Sequence, residues 1–143
     1  MARDYVTIRE LTDPSGQTVW TFTSVGHDRL KSAPAKVLRR DGRYEIIGVA
    51  WGAPVAVLEV SIDGGPFAAA ERVEGGSHRP ASGLTWSFWR YDWGSVPAGT
   101  HQITTRAIDM DGNVQPAPGD PFLAAKRTYR ESNGQITRRV VIS

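Results

Sequence analysis

The sequence predicts an all-β fold, an antiparallel β-sandwich, on three observations. Apolar and polar residues alternate with period two in short stretches such as WTFTSV, LEVSID and QITRRVVI. Fifteen glycines and nine prolines supply turn chemistry at almost every boundary between such stretches. No window spaces apolar residues by three and four over a helical length, so helix is expected to be negligible.

Taken in order, Val6 and Ile8 alternate with Thr7 and Arg9, and Trp20 and Phe22 alternate with Thr21 and Thr23. Between them Asp13-Pro14-Ser15-Gly16 places proline second and glycine fourth, the pattern of a type I turn, so Tyr5 to Val25 reads as a hairpin. The basic, proline-containing stretch 26–37 follows as a connection. Strands are then expected over RYEIIGVAW (43–51), VAVLEVSID (55–63) and PFAAAERV (66–73), with Asp63-Gly64-Gly65 turning the chain because glycine reaches positive φ without steric cost. After a loop at 74–83 come LTWSFWRYDW (84–93) and THQITTRAID (100–109), whose Ile103, Thr105 and Ala107 fit an inward face. Asp109 to Asn113 forms the next turn, and QPAPGDP leads to final strands expected around FLAAKRTY (122–129) and QITRRVVIS (135–143). Short strands at this spacing indicate a sandwich of immunoglobulin-like size, without the cysteine pair of antibody domains. Residues 1–32 are read as the extra hairpin and its connecting segment, and residues 33–143 as the sandwich.

Composition narrows the chemistry. A chain of 143 residues buries roughly 68–70% of its unfolded surface and needs no staple to fold. It has no cysteine, which removes disulfides, thiol nucleophiles and thiolate-held metals. The net charge is +2, but basic residues cluster at Arg29, Lys31, Lys36, Arg39, Arg40 and Arg43 and again at Lys126, Arg127, Arg130, Arg138 and Arg139; solvated faces are the plain reading, and anion or nucleic-acid contact the sharper one. No apolar run reaches the length of a membrane span, and the start has no signal-peptide core. Nucleotide-binding glycine loops, a G-x-S-x-G elbow and an H-E-x-x-H metal motif are all absent. His27, His78 and His101 stand apart in sequence and read as surface or loop residues. Asp109, Asp111 and Asn113 resemble the start of a calcium loop, yet glycine comes fourth instead of sixth and no glutamate closes at the twelfth position, so a plain turn is expected. Glu71 and Glu74 read as a solvated strand edge, and no metal site is expected.

The segment 84–93 holds three of the five tryptophans. As a strand it puts Trp86, Phe88 and Arg90 on one side and Ser87, Trp89 and Tyr91 on the other, so neither face is polar. One aromatic face is expected in the core and the other against a protein partner.

Three motifs occur in sequence: Leu58-Glu59-Val60-Ser61 with Asp63-Gly64-Gly65; Trp86 with Trp89; and Arg106-Ala107 with Asp109, Gly112, Gln115 and Pro116. Together they resemble the V-E-V-S-x-D-G-G, W-x-x-W and R-A-x-D-x-x-G-x-x-Q-P patterns of the C-terminal dimerisation domain of the sulfite oxidase family of molybdenum cofactor oxidoreductases. The resemblance runs from about Ala33 to the C-terminus, with GVAWG (48–52) in the preceding strand; Leu58 replaces the leading valine, and the hairpin 5–25 is an addition.

The resemblance implies the E-set type of the immunoglobulin-like fold and a non-catalytic dimerisation scaffold, with Trp86, Trp89, Tyr91, Trp93, Arg106 and Gln115 as scaffold or interface residues. Arg106 is expected near Glu59 as an exposed ion pair worth about 0–1 kcal/mol. Molybdenum-molybdopterin would belong to a separate catalytic domain preceding this one, so this chain is expected to bind no cofactor and to pair with that domain and with a second copy. The start MARDYVTIRE reads as that of a domain excised from a longer chain, and a bacterial source would favour an extracytoplasmic location. In the family an arginine in an H-R-V run helps line the substrate-anion pocket of the neighbouring domain; the corresponding run is Arg138-Arg139-Val140, with arginine in place of histidine and Ile136 or Thr137 in place of tryptophan. Alternation selects Arg139, which shares a face with Thr137 and Val141, while Arg138 shares the core-like face. The alternatives are a stand-alone immunoglobulin-like module binding protein, or carbohydrate on open aromatic rings, and, last, a nucleic-acid binder, which the near absence of aromatics among the basic runs disfavours.

Overall fold

The computed structural model describes residues 6–24, 29–73, 86–125 and 133–143. Ten strands and one short helix are present among them: β1 (Val6–Thr12), β2 (Thr18–Ser24), β3 (Lys31–Arg40), β4 (Arg43–Trp51), β5 (Val55–Ile62), β6 (Ala68–Ala69), β7 (Glu71–Arg72), β8 (Ser87–Gly94), β9 (Gly99–Asp109), α1 (Pro121–Ala124) and β10 (Ile136–Ile142). Two four-stranded antiparallel sheets, ordered β3-β4-β8-β7 and β10-β9-β5-β6, enclose the core, and β1-β2 forms a separate hairpin. Lettered A, B, C, C′, D, E, F, G from β3 to β10, the sheets read A-B-E-D and G-F-C-C′, the immunoglobulin arrangement.

Alternation sets the inward rows. Tyr44, Ile46, Gly48 and Ala50 of β4 are buried while Glu45, Ile47, Val49 and Trp51 between them are half-buried. Leu58 and Val60 of β5 pair with Ala107 and Thr105 of β9, and all four are buried. With Leu30, Val55, Trp89 and Ile103 they make the core. Asp63 and Gly64 take φ values of 52° and 74°, so the positive φ falls on the aspartate and the first glycine of Asp63-Gly64-Gly65.

Three elements differ from the sequence reading. The stretch read as a connection contains β3, which begins at Lys31 with Leu30 already in the core. Pro34 made it look unlike a strand, but β3 is an edge strand, where a missing amide donor is tolerated, and its register shifts between Pro34 and Lys36. PFAAAERV is not one strand but two, since β6 pairs with β5 in one sheet and β7 with β8 in the other. In place of a strand at 122–129, Pro121–Ala124 is a helical turn: Asp120 caps it by accepting from Phe122 N at 2.8 Å, and Pro121 pre-sets the first turn. Lys126 to Tyr129 of that expected strand lie outside the described residues.

The N-terminal hairpin closes as expected. Gly16 N donates to Asp13 O at 2.9 Å, and Asp13 Oδ1 accepts from Ser15 N and Gln17 N. The hairpin docks on the segment before β10: buried Arg9 donates to Phe122 O at 2.9 Å and stacks over the Phe122 ring at 4.0 Å, and Glu10 N donates to Ala125 O at 2.9 Å.

Trp89 sits opposite Gly48. A Cβ on Gly48 would lie 2.1 Å from Trp89 Cζ2 and 2.4 Å from Ala33 O, so only glycine lets the indole lie flat on β4. Gly48→Ala is therefore expected to destabilise the fold by about 1–3 kcal/mol, read as a lower urea midpoint. An unchanged midpoint would mean that the indole has room to move aside.

Candidate functional site

The tryptophan strand divides its aromatics by alternation. Trp89 is 1% exposed, and Tyr91 and Trp93 pack partly buried against the core. Trp93 also meets Tyr44 edge-on at 6.3 Å. On the opposite side Trp86 and Phe88 stand 60% and 54% exposed. Trp86 stacks on Trp51 of β4 with centroids 5.5 Å apart and planes at 23°. Phe88 pairs across from Val49, and Val73 N bonds Phe88 O at 2.9 Å. Ile47, Val49, Trp51, Val73, Trp86 and Phe88 thus form an apolar stripe across the outer face of the A-B-E-D sheet. Arg90 flanks the stripe, 3.0 Å from Glu71 and 4.0 Å from Glu45. Leu84 and Thr85 lie outside the described residues.

The outer face of the other sheet carries paired polar groups, with Val57 and Val141 exposed singly among them. Arg106 Nε meets Glu59 Oε2 at 2.5 Å, with both side chains largely withdrawn from water, and the guanidinium lies 3.9 Å over the Phe67 ring. The ion pair expected at the surface is therefore partly buried and backed by an aromatic ring. On β10, Arg139 pairs with Gln102 and Arg138 with Ile103 in an unbroken register. Arg139 shares the outer side with Thr137, whose hydroxyl is 2.8 Å from that of Thr104, and with Val141. Arg138 belongs to the inward row of Ile136, Val140 and Ile142, but β10 is an edge strand and the side chain remains exposed.

Gln115, 0% exposed, is the most connected of the motif residues. Its Oε1 accepts from Ser32 N at 3.0 Å, Ser32 Oγ at 2.9 Å and Ala107 N at 3.2 Å, while Nε2 donates to Gly134 O at 2.8 Å. Asp109 is committed to its turn, accepting from Asp111 N, Asn113 N and Asn113 Nδ2. The bond from the Asn113 side chain, followed by those from the backbone, holds its carboxyl below the usual carboxylate range. Glu71 pairs with Arg90; Glu74, His27 and His78 lie outside the described residues.

Two alternatives meet particular obstacles. Carbohydrate-binding rings present open faces side by side, whereas Trp51 and Trp86 cover one another and Trp89 is buried. Tyr44, one of the few aromatics among the basic residues, is buried against the core side and offers no ring for base stacking; Tyr129 lies outside the described residues.

The described residues define an antiparallel sandwich with an aromatic, apolar stripe on one outer face and a mixed outer face, carrying the Glu59–Arg106 pair, on the other. No family model matches the chain. Over 80 residues, 52% of its length, it is 35% identical to the mitochondrial sulfite oxidases of Homo sapiens and Macaca fascicularis. Over that stretch the chain is a homologue of sulfite oxidase, and it spans 14% of the length of those relatives. The residues present do not fit a thiolate-held molybdenum: the chain has no cysteine, and no group of three or more His, Asp or Glu capable of holding a metal occurs among the described residues. No helix among them is long and apolar enough to cross a membrane.

The two sides of β8 separate in mutagenesis. Trp89→Ala is expected to cost about 3–5 kcal/mol of stability in chemical denaturation. Trp86→Ala, on the exposed side, is expected to stay within about 0.5 kcal/mol of the parent sequence at low protein concentration. Equal losses at both positions would show that the outer ring is also structural.

Proposed function

We propose that this chain is a non-catalytic dimerisation scaffold of a sulfite-oxidase-type molybdenum oxidoreductase. In this reading the A-B-E-D face meets a second copy, and the G-F-C-C′ face, with Arg139 at its edge, meets a catalytic domain carrying molybdenum-molybdopterin. The apolar stripe of Trp51, Trp86 and Phe88 carries the proposal, because large contiguous apolar patches are uncommon on soluble domains without a partner. Tryptophan anchors of this kind dominate the binding energy of protein interfaces. The mixed charges of Arg90, Glu45 and Glu71 beside the stripe suit a two-fold contact, in which each group meets its counterpart's opposite sign. The two outer faces point away from each other, so both partners can be seated at once.

Arg139 supplies what an oxyanion such as sulfite requires. The guanidinium is a planar fork of donors that stays charged at any working pH and binds an anion through two parallel bonds. Molybdenum in the neighbouring domain would supply the oxygen-atom transfer; Arg139 would bind and orient the anion.

Sedimentation velocity across a concentration series tests the scaffold. The chain is expected to dimerise, and the double variant Trp86→Ser, Phe88→Ser to remain monomeric with an unchanged thermal midpoint. A chain monomeric at all concentrations, or a variant that still dimerises, would overturn the assignment of this face. In the full-length enzyme, Arg139→Gln is expected to lower kcat/KM for the anionic substrate at least about tenfold, the loss of roughly 1.4 kcal/mol of binding. An unchanged kcat/KM rules the role out, and a loss confined to Arg138→Gln transfers it by one residue.

A further inference from the structure

At the end of the sandwich, His101 of β9 is held on both ring nitrogens. Nδ1 lies 2.7 Å from Asp63 Oδ2, in the turn after β5, and Nε2 lies 3.0 Å from Pro97 O, in the crossover that carries the chain from β8 to β9. The ring also meets Trp93 edge-on, with centroids 5.3 Å apart and planes at 88°. An ionised carboxylate and a backbone carbonyl are both acceptors without a proton to give. A neutral imidazole has one N–H and one lone pair, so it satisfies one of these oxygens and turns a lone pair on the other. Only the imidazolium donates to both.

We infer that His101 is a proton-operated latch, which as imidazolium ties the β8–β9 crossover to the Asp63 turn and on deprotonation lets the crossover go. The order of release follows from how firmly each end is held. Asp63 is fixed to β9 independently of the ring, since Oδ1 accepts from Gln102 N at 2.6 Å and Asp63 N donates to Gln102 O at 2.8 Å. Its negative charge keeps the remaining proton on Nδ1, and the lone pair of Nε2 then faces the Pro97 carbonyl. Gly94 and Gly99 flank the crossover with φ of 76° and 145°, values that L side chains rarely adopt, so the four residues between them hang from two glycine corners.

The surroundings of the ring supply no competing charge among the described contacts. The Asp63 turn contributes the carboxylate, β8 the Trp93 ring, the crossover the Pro97 carbonyl, and β10 places Val140 opposite in the register. The Arg43–Asp92 pair, at 2.8 Å, engages the last residue of β8, with Asp92 Oδ1 accepting from Gly94 N at 2.9 Å. Bonding to Asp63, then to the Pro97 carbonyl, raises the His101 pKa above the 6.5 of a free imidazole. The bonds from His101 and Gln102 N lower that of Asp63 below 3.8. Because the folded His101 pKa is raised, its stabilisation is fully present below about 6.5 and is lost as pH rises through the folded value. The Asp63 contribution has the opposite sign, present above about 3.8 and lost as pH falls through its lowered value. The latch is therefore closed between the two and opens on the alkaline side.

The experiment is a pH titration of the full chain by histidine-resolved NMR, together with amide hydrogen exchange at Ser95, Val96 and Ala98 corrected for the intrinsic pH dependence. His101→Gln identifies the His101 resonances against those of His27 and His78. The expected result is a His101 pKa above 6.5 and crossover exchange that accelerates at least about fivefold through that same pKa. Asp63→Asn removes the charge but keeps a residue tolerant of positive φ, and it should move the His101 pKa and the exchange transition down together. A His101 pKa at or below 6.5, or an exchange transition that does not follow the Asp63→Asn shift, overturns the latch. Neither readout depends on dimerisation or on a catalytic partner, so failure here and failure of the scaffold reading are separate results.

Discussion

The sandwich depends on one buried amide. Gln115 lies in the connection after β9, yet its side chain reaches β3 through Ser32, β9 through Ala107 and the segment before β10 through Gly134. The backbone joins in, with Gln115 N donating to Ala107 O at 2.9 Å and Gln135 Nε2 donating to Gln115 O at 3.0 Å. A hydroxyl has one proton, so Ser32 Oγ donates to Gln115 Oε1 at 2.9 Å and accepts from Thr105 Oγ1 at 3.2 Å, which completes a polar cluster inside an apolar core. Leaving any of these groups unpaired would cost about 1–3 kcal/mol, so the cluster is worth having only when whole. It also explains how β3, an edge strand interrupted at Pro34, is held against β9 of the opposite sheet.

The aromatic residues obey a second constraint, close packing at glycine. Trp89 fills the centre because Gly48 leaves it a flat floor, and this places the alternate residues, Trp86 and Phe88, outside. The apolar outer face is thus a consequence of the core requirement plus a choice of residue type at two outward positions. Polar residues would serve folding equally well there, which is the ground on which association is proposed for this face. On the opposite sheet the outward positions are mixed: Glu59 pairs with Arg106 and Thr104 with Thr137, while Val57 and Val141 are exposed there singly.

Much of this was legible in the sequence, for physical reasons. β4, β5 and β9 alternate cleanly because each has one row facing the core, and Asp63-Gly64-Gly65 announces its turn through residues that tolerate positive φ. The pairing of Arg106 with Glu59 and the outward direction of Arg139 follow from the same period. β3 was not legible, because Pro34 reads as a breaker unless the strand is known to lie at an edge; nor was the Asp41-Gly42 turn that joins it to β4, although positive φ at both residues is a strong hairpin signal. The segment at α1 looked apolar and extended, while the cap at Asp120 and the proline after it were the overlooked signs of a helical start. Which aromatic row of β8 lies inward was undecidable from alternation, since both rows are apolar. Gln115 stood out by its motif, but its role did not, because its partner Ser32 is 83 residues away.

The claim at the centre of this account is that Gln115 holds the sandwich together through the buried cluster it forms with Ser32, and that cluster is the place to test it. A double-mutant cycle of Ser32→Ala and Gln115→Leu, read by urea denaturation, measures the coupling across the buried cluster directly. The account predicts a coupling of about 1–3 kcal/mol, each single change being costly and the second adding little. Additivity within about 0.3–0.5 kcal/mol would contradict it, since the two side chains would then contribute independently.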